Sequence, residues 1–230
     1  MEVRNFSDAA QAASALADAA ASALNGVLAR QPRATLAVSG GRSPITFFHA
    51  LRERDVAWAR VNLTLADERI VPTTHADSNT ALVREHLLQG AAAQASWLAL
   101  VADGAKAEDL RDAAAVVAAA RARLVQPDVV VLGMGADGHT ASLFPHAPQL
   151  AAALAPDAPL VLHTSPMTAP HERISMSLSA ICGAGAVFLA IGGAEKLAVF
   201  RRAAEGVCAD LPVSRVLHDP HTRTRVFCHD

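Results

Sequence analysis

Asp128-Val129-Val130-Val131-Leu132-Gly133-Met134-Gly135-Ala136-Asp137-Gly138-His139 sets the kind of sheet this chain builds. Val129 to Leu132 are continuously apolar, follow Pro127 and stop at Gly133, which predicts a strand over 128–132 buried on both faces. Such a strand belongs in a parallel sheet covered by helices on either side. The polar, glycine-bearing residues after it start at the strand's carboxyl end, where open parallel sheets bind their ligands.

The same alternation extends outward in both directions. Upstream, the spacing predicts a helix over 6–30, with Asn25-Gly26 a weak point near its end, then a short buried strand over 34–38. A second helix is expected after Ser43-Pro44, with proline in its first turn and serine as its cap. A strand over 61–65, a helix over 78–88, a strand over 97–100 and an alanine-rich helix over 105–124 follow. Downstream come strand-like runs at 159–164, 172–178 and 185–191, a helix over 193–204 and a closing strand over 223–228. Continuous apolar runs alternating with helices define an α/β chain with a mostly parallel central sheet. No internal repeat or Gly/Ser/Pro-rich linker interrupts it, so residues 1–230 read as a single domain.

Composition excludes several classes of function. A hydrophobic fraction of 52% supplies a sizeable core, which argues against disorder. The net charge of −2, with acids and bases interspersed, offers no basic patch to a nucleic acid. Three cysteines, an odd number without a CxxC pair, predict free thiols in a reducing compartment. The amino terminus carries Glu2 and Asp8 where a secretory leader would be basic, and the alanine-rich run over 9–29 reads as a helix rather than a membrane span. The expectation is a cytoplasmic chain with no membrane partner, either a monomer or a small homo-oligomer. Ten histidines without an HExxH motif or paired cysteines give no metal motif, so no metal is expected.

Three strand ends carry polar residues suited to chemistry, and a fourth repeats their layout. Gly133 to Gly138 is formally GxGxxG, but it falls late in the chain, and Pro145 leaves little helix to hold a dinucleotide. Asp137-Gly138-His139 is more informative. An aspartate two residues from a histidine can fix the ring's tautomer, as a general base requires; the bland alternative is a turn carboxylate beside a half-exposed histidine. Ser39-Gly40-Gly41-Arg42-Ser43 offers backbone N–H groups, hydroxyls and a guanidinium to an anion, or else is a plain tight turn. There is no GxSxG elbow, so Ser39 is a weak nucleophile candidate. Asp67-Glu68-Arg69 is either a solvated loop or a way of aiming Arg69 at a phosphate or oxyanion. Gly192-Gly193-Ala194-Glu195-Lys196 repeats the strand–glycine–helix layout with a cation in the first turn, and Arg173 is a further basic candidate.

Taken together, five blocks resemble the 6-phosphogluconolactonase family. They are Ser39-Gly40-Gly41, Leu65 to Pro72, Gly133 to Pro145, Arg173-Ile174-Ser175-Met176 and Gly192 to Lys196, matching in order over roughly residues 5–228. The resemblance implies a Rossmann-like three-layer αβα sandwich shared with glucosamine-6-phosphate deaminases. It also implies hydrolysis of a phosphorylated sugar lactone in the oxidative pentose phosphate pathway, with no cofactor. By that resemblance His139, held by Asp137, activates water. Arg69 lies in the substrate cleft, with Ser39, Gly40, Gly41, Arg42, Asp67, Arg173 and Lys196 around the sugar phosphate. Phe144 stands where deaminases carry a glutamate, and Arg69 where they carry an aromatic residue; both favour the lactonase branch. Arg42 replaces the small hydroxyl residue of many relatives.

Overall fold

The computed structural model describes residues 1–167 and 169–230. The chain opens with strand β1 (Glu2–Phe6), inside and ahead of the expected first helix. Its residues are mostly exposed, so no apolar run announces it. It is held by its neighbour: Phe6 stacks on Phe227 at 5.9 Å, and the Arg4 guanidinium covers both rings. Helix α1 (Ala9–Leu28) starts where Asp8 accepts the Gln11 N–H at 2.8 Å. Its small buried alanines, Ala17 and Ala20 among them, let it lie close to the sheet.

Strand β2 (Ala34–Val38) leads to helix α2 (Ile45–Arg52). Pro44 occupies the cap position of α2, and Ser43 makes no capping bond, contrary to the sequence expectation. Strands β3 (Val61–Leu65) and β4 (Asp67–Arg69) come next, then α3 (Asn79–His86) and the two-residue β5 (Ser96–Trp97). Helix α4 is Ala113–Arg121, shorter than its alanine content suggested. Asp109 accepts the Lys106 N–H at 2.9 Å and Asp112 caps at Ala115, so local carboxylate bonds hold 106–112 out of the helix. The remaining elements are β6 (Val129–Leu132), α5 (Leu150–Ala153), β7 (Val161–Thr164), β8 (Arg173–Met176), α6 (Leu178–Cys182), β9 (Ala186–Gly192), α7 (Ala194–Glu205), α8 (Val213–Leu217) and β10 (Arg225–His229).

Seven strands form one sheet in the order β1-β10-β9-β6-β2-β3-β5, with every neighbouring pair parallel. From β1 through β5 the chain steps one way across this sheet; from β6 through β10 it steps the other way. Right-handed crossovers then place α1 and α2 on one face and α4 and α7 on the opposite face. This is the α/β sandwich the sequence indicated. The runs at 159–164 and 172–178 do not join it. They pair as β7 and β8 with β4 in a separate antiparallel sheet, order β4-β8-β7. Leu36, Leu63, Val131, Phe188 and Phe227 lie at the centre of the main core, each almost fully buried. None of the described helices is long and apolar enough to cross a membrane.

Candidate active site

The sheet's direction of travel reverses between β2 and β6, which are hydrogen-bonded neighbours, and the Ser39 N–H donates to Val131 O at 2.9 Å. At such a switch point the loops leaving two adjacent strands diverge and open a crevice. A cavity of about 580 Å³ occupies it. Ser39, Gly40, Gly41, Arg42, Asp67, Arg69, His139, Arg173 and Lys196 all line this cavity. Asp137 does not line it but stands behind His139.

The loop after β6 is wound tightly. Gly135 N–H donates to His139 O at 2.9 Å, Gly138 N–H to Gly135 O at 3.0 Å, and Gly138 has φ +78°. This turn brings Asp137 Oδ1 to 2.6 Å from His139 Nδ1 and 3.2 Å from the His139 N–H. Burial raises the Asp137 carboxyl, but the hydrogen bond and charge of His139 outweigh it and leave the group below the usual carboxylate value. Phe144 stacks on a face of the imidazole with ring centroids 4.2 Å apart, and the Arg173 guanidinium lies over the same phenyl ring at 5.8 Å. His139 is thus gripped by a carboxylate at one nitrogen and an aromatic face.

Arg69 and Arg173 are direct cross-strand partners in the β4–β8 register. Like charges directly opposite each other are destabilising, more so when buried. Burial, with the neighbouring Arg69 charge, lowers the Arg173 guanidinium below its ordinary value, while Asp67, Glu68 and Asp77 pull it back up. Arg173 Nε and Arg69 Nε are buried without a hydrogen-bond partner among the described residues, and so is Ser39 Oγ. One Arg69 N–H donates to Asp77 O, and Arg173 Nη2 donates to Pro170 O at 3.0 Å. The arrangement suits an anion lodged between the two guanidiniums.

Asp67 and Glu68, beside Arg69, are buried rather than solvated, and each holds other groups in place. Asp67 Oδ2 accepts the Ser142 hydroxyl at 2.5 Å, tying β4 to the loop of His139. Glu68 is fully buried and accepts from Arg69 N, Ser78 Oγ, Asn79 N and Thr80 N at 2.7–3.0 Å. Its charge therefore sits at the amino terminus of α3, where the helix dipole favours it. Burial pushes the carboxyl upward against the pull of these donors. Asn79, fixed by Glu68 and donating to Asp67 O at 3.0 Å, also lines the cavity and was not anticipated. A Cβ on Gly40 would lie 2.1 Å from the Asn79 side chain, so only glycine fits there. His229 at the end of β10 lines the cavity too, and nothing in its terminal position signalled this.

A family profile described as glucosamine-6-phosphate isomerases/6-phosphogluconolactonase matches residues 7–226. The 6-phosphogluconolactonase of Neisseria meningitidis serogroup A is 55% identical over 223 residues, covering 96% of each chain. That of Pseudomonas putida is 42% identical over 224 residues, covering 96% of this chain and 90% of its own. The crystal structure of a 6-phosphogluconolactonase from Shewanella baltica OS155 superposes with a TM-score of 0.91 at 37% identity, covering 100% and 98% of the two chains. The α/β sheet with its carboxyl-end cleft is thus that of a sugar-phosphate enzyme fold. The chain belongs to the glucosamine-6-phosphate isomerase/6-phosphogluconolactonase family.

Proposed function

We propose that this chain hydrolyses 6-phospho-D-glucono-1,5-lactone to 6-phospho-D-gluconate, a cytoplasmic step of the oxidative pentose phosphate pathway that needs no metal or organic cofactor. The carrying observation is the His139–Asp137 pair at 2.6 Å in a cleft that also gathers Arg69, Arg173, Lys196 and the Gly40-Gly41 turn. The names of the relatives point the same way. The three free cysteines fit a reducing compartment.

A lactone is an activated ester, so a positioned base and an oxyanion partner suffice. Asp137 accepts from Nδ1–H, and the tautomer that this bond selects leaves the Nε2 lone pair free. Nε2 takes a proton from water as the water oxygen bonds to the lactone carbonyl carbon. The carbonyl electron pair moves onto oxygen, where Arg69 stabilises the developing charge. Collapse breaks the bond to the ring oxygen, which receives the proton held on Nε2. The Gly40 and Gly41 amides, Arg173 and Lys196 hold the phosphate and position the ring. Phe144, packed on His139, puts a phenyl ring where a deaminase would need a carboxylate.

The test is proton release from fresh 6-phosphogluconolactone, measured as the excess over spontaneous hydrolysis. General-base catalysis contributes about 10²–10⁴-fold, so His139→Ala should lose that much of kcat with the fold retained. No excess with the wild-type chain would sink the assignment. Full activity in the variant would retain the reaction and discard His139 as its base.

A further inference from the structure

Outside the cleft, two segments far apart in sequence bring a second imidazole–carboxylate group together. His75 and Asp77 follow β4, and His171 lies just before β8. The side-chain ligand atoms of the three all lie within 4.8 Å of one another. His171 Nε2 is 2.9 Å from Asp77 Oδ2, His75 Nδ1 is 3.9 Å from the same oxygen, and the two rings meet edge-on at 5.5 Å. His171 reaches this position from a left-handed backbone, φ +70°, which costs energy in any residue but glycine. A histidine–aspartate ion pair accounts for His171 and Asp77, while the second imidazole, turned toward the same oxygen, is held by one bond from the Asp77 N–H.

We propose that His75, Asp77 and His171 form a binding site for a divalent transition-metal ion of the zinc class. Two imidazoles and a carboxylate are ligands that Zn²⁺ takes readily, with water completing a tetrahedron. Bonds of about 2.1 Å set tetrahedral neighbours about 3.4 Å apart. The separations of 2.9 Å and 3.9 Å bracket that value, so small rotations of partly exposed side chains complete the site. His75 Nδ1 now accepts the Asp77 N–H at 3.1 Å, and ion entry exchanges that bond for a metal bond. The ligands lie 94 residues apart across His171 and Asp77, which is why no local spacing motif reveals them.

The site stands apart from the proposed base and takes no part in water attack. Its place is to tie together the two segments that orient the cleft's guanidiniums. The Asp77 carbonyl accepts from Arg69, and the Pro170 carbonyl, next to His171, accepts from Arg173. Metal binding here is independent of which substrate the cleft takes.

Calorimetric titration of Zn²⁺ into the chelator-treated full chain tests the site, with Co²⁺ as a visible probe of tetrahedral geometry. One ion per chain is expected, with a tetrahedral Co²⁺ spectrum. Since outer-shell changes alone cost 10–100-fold in metal affinity, loss of a ligand in His171→Ala or His75→Gln should weaken binding by more than about 100-fold. His49→Ala, which breaks the exposed His49–His86 pair at 3.2 Å, should leave binding intact. Melting curves establish that each variant is folded, and His75→Gln carries the test alone if His171→Ala is not. Absence of stoichiometric binding by the wild-type chain overturns the site. So does binding that survives His75→Gln, or binding that disappears in His49→Ala.

Discussion

Replacing Gly135 with alanine isolates the contribution of the His139–Asp137 pair from that of the fold. A methyl group at this position would lie 2.2 Å from His139 Nδ1 and Cε1 and 2.6 Å from Asp137 Oδ1. Non-bonded carbon contacts settle at about 3.5–4.0 Å, so the imidazole must retreat by more than about 1 Å. Gly135 is not among the residues with positive φ, so alanine brings no backbone strain. The obstructing atoms belong to side chains of a half-exposed loop, which can swing aside without unfolding it. A misplacement of about 1 Å at a reacting group costs on the order of 100-fold in rate, or about 2.7 kcal/mol of transition-state stabilisation. The assay is enzyme-dependent hydrolysis of 6-phosphogluconolactone, with thermal melting in parallel. A roughly 100-fold fall in kcat/KM with little change in Tm is expected. A variant within about threefold of wild type would contradict the proposed role of the pair, because the ring cannot keep its place beside the added methyl.

Further outcomes follow from other groups. Glu68→Ala removes one carboxylate from four buried donors; at about 1–3 kcal/mol per orphaned group, non-additively, denaturant unfolding should show a loss of at least about 3 kcal/mol, and a loss under about 1 kcal/mol would contradict the bonding described. Asp137 sits below its ordinary value when folded, so its stabilisation is present above about pH 4 and disappears as pH falls through its folded value. The Tm gap between wild type and Asp137→Asn should therefore open above about pH 4 and close in acid, and a gap constant with pH would count against it. Burial raises the Cys182 thiol to about 12 and the Cys228 thiol to about 11, so neither should react with iodoacetamide in the native chain at pH 8, whereas both should react promptly in denaturant.

The sequence was most readable where strands are buried on both faces. Val129–Leu132 and Ala34–Val38 carry unbroken apolar runs and appear as strands within a residue of their expected bounds. It was least readable where tertiary contacts override local pattern. β1 has an exposed face and depends on pairing with β10, so its residues look like loop. The run at 105–124 has the alanine of a helix, but Asp109 and Asp112 redirect its first third. β7 (Val161-Leu162-His163-Thr164) and β8 (Arg173-Ile174-Ser175-Met176) are half polar, unlike the central strands, but nothing in their sequence names β4 as the partner they pair with. Among the candidate site residues, Asp67, Arg69 and Arg173 lie within the antiparallel β4–β8 pair, but Ser39 to Arg42, His139 and Lys196 were legible as glycine-bearing strand ends, because a parallel sheet sends those ends to one edge. Asn79, His229 and the grouping of His75 with His171 were not, since each depends on contacts made across the fold.

The run of contacts from Gly40 through Asn79 to Glu68 sets limits on redesign of the cleft. One wall is cross-tied: a larger residue at 40 evicts the Asn79 side chain, and a change at 79 loses that side chain's bond to the Asp67 carbonyl on the strand that carries Glu68. The rim is built differently, with Arg42 and Ser43 exposed on the turn above it. An effort to make the cleft accept a larger or differently charged lactone should leave the wall alone and vary the rim. Variants there alter what the cleft admits while keeping the wall's contacts intact.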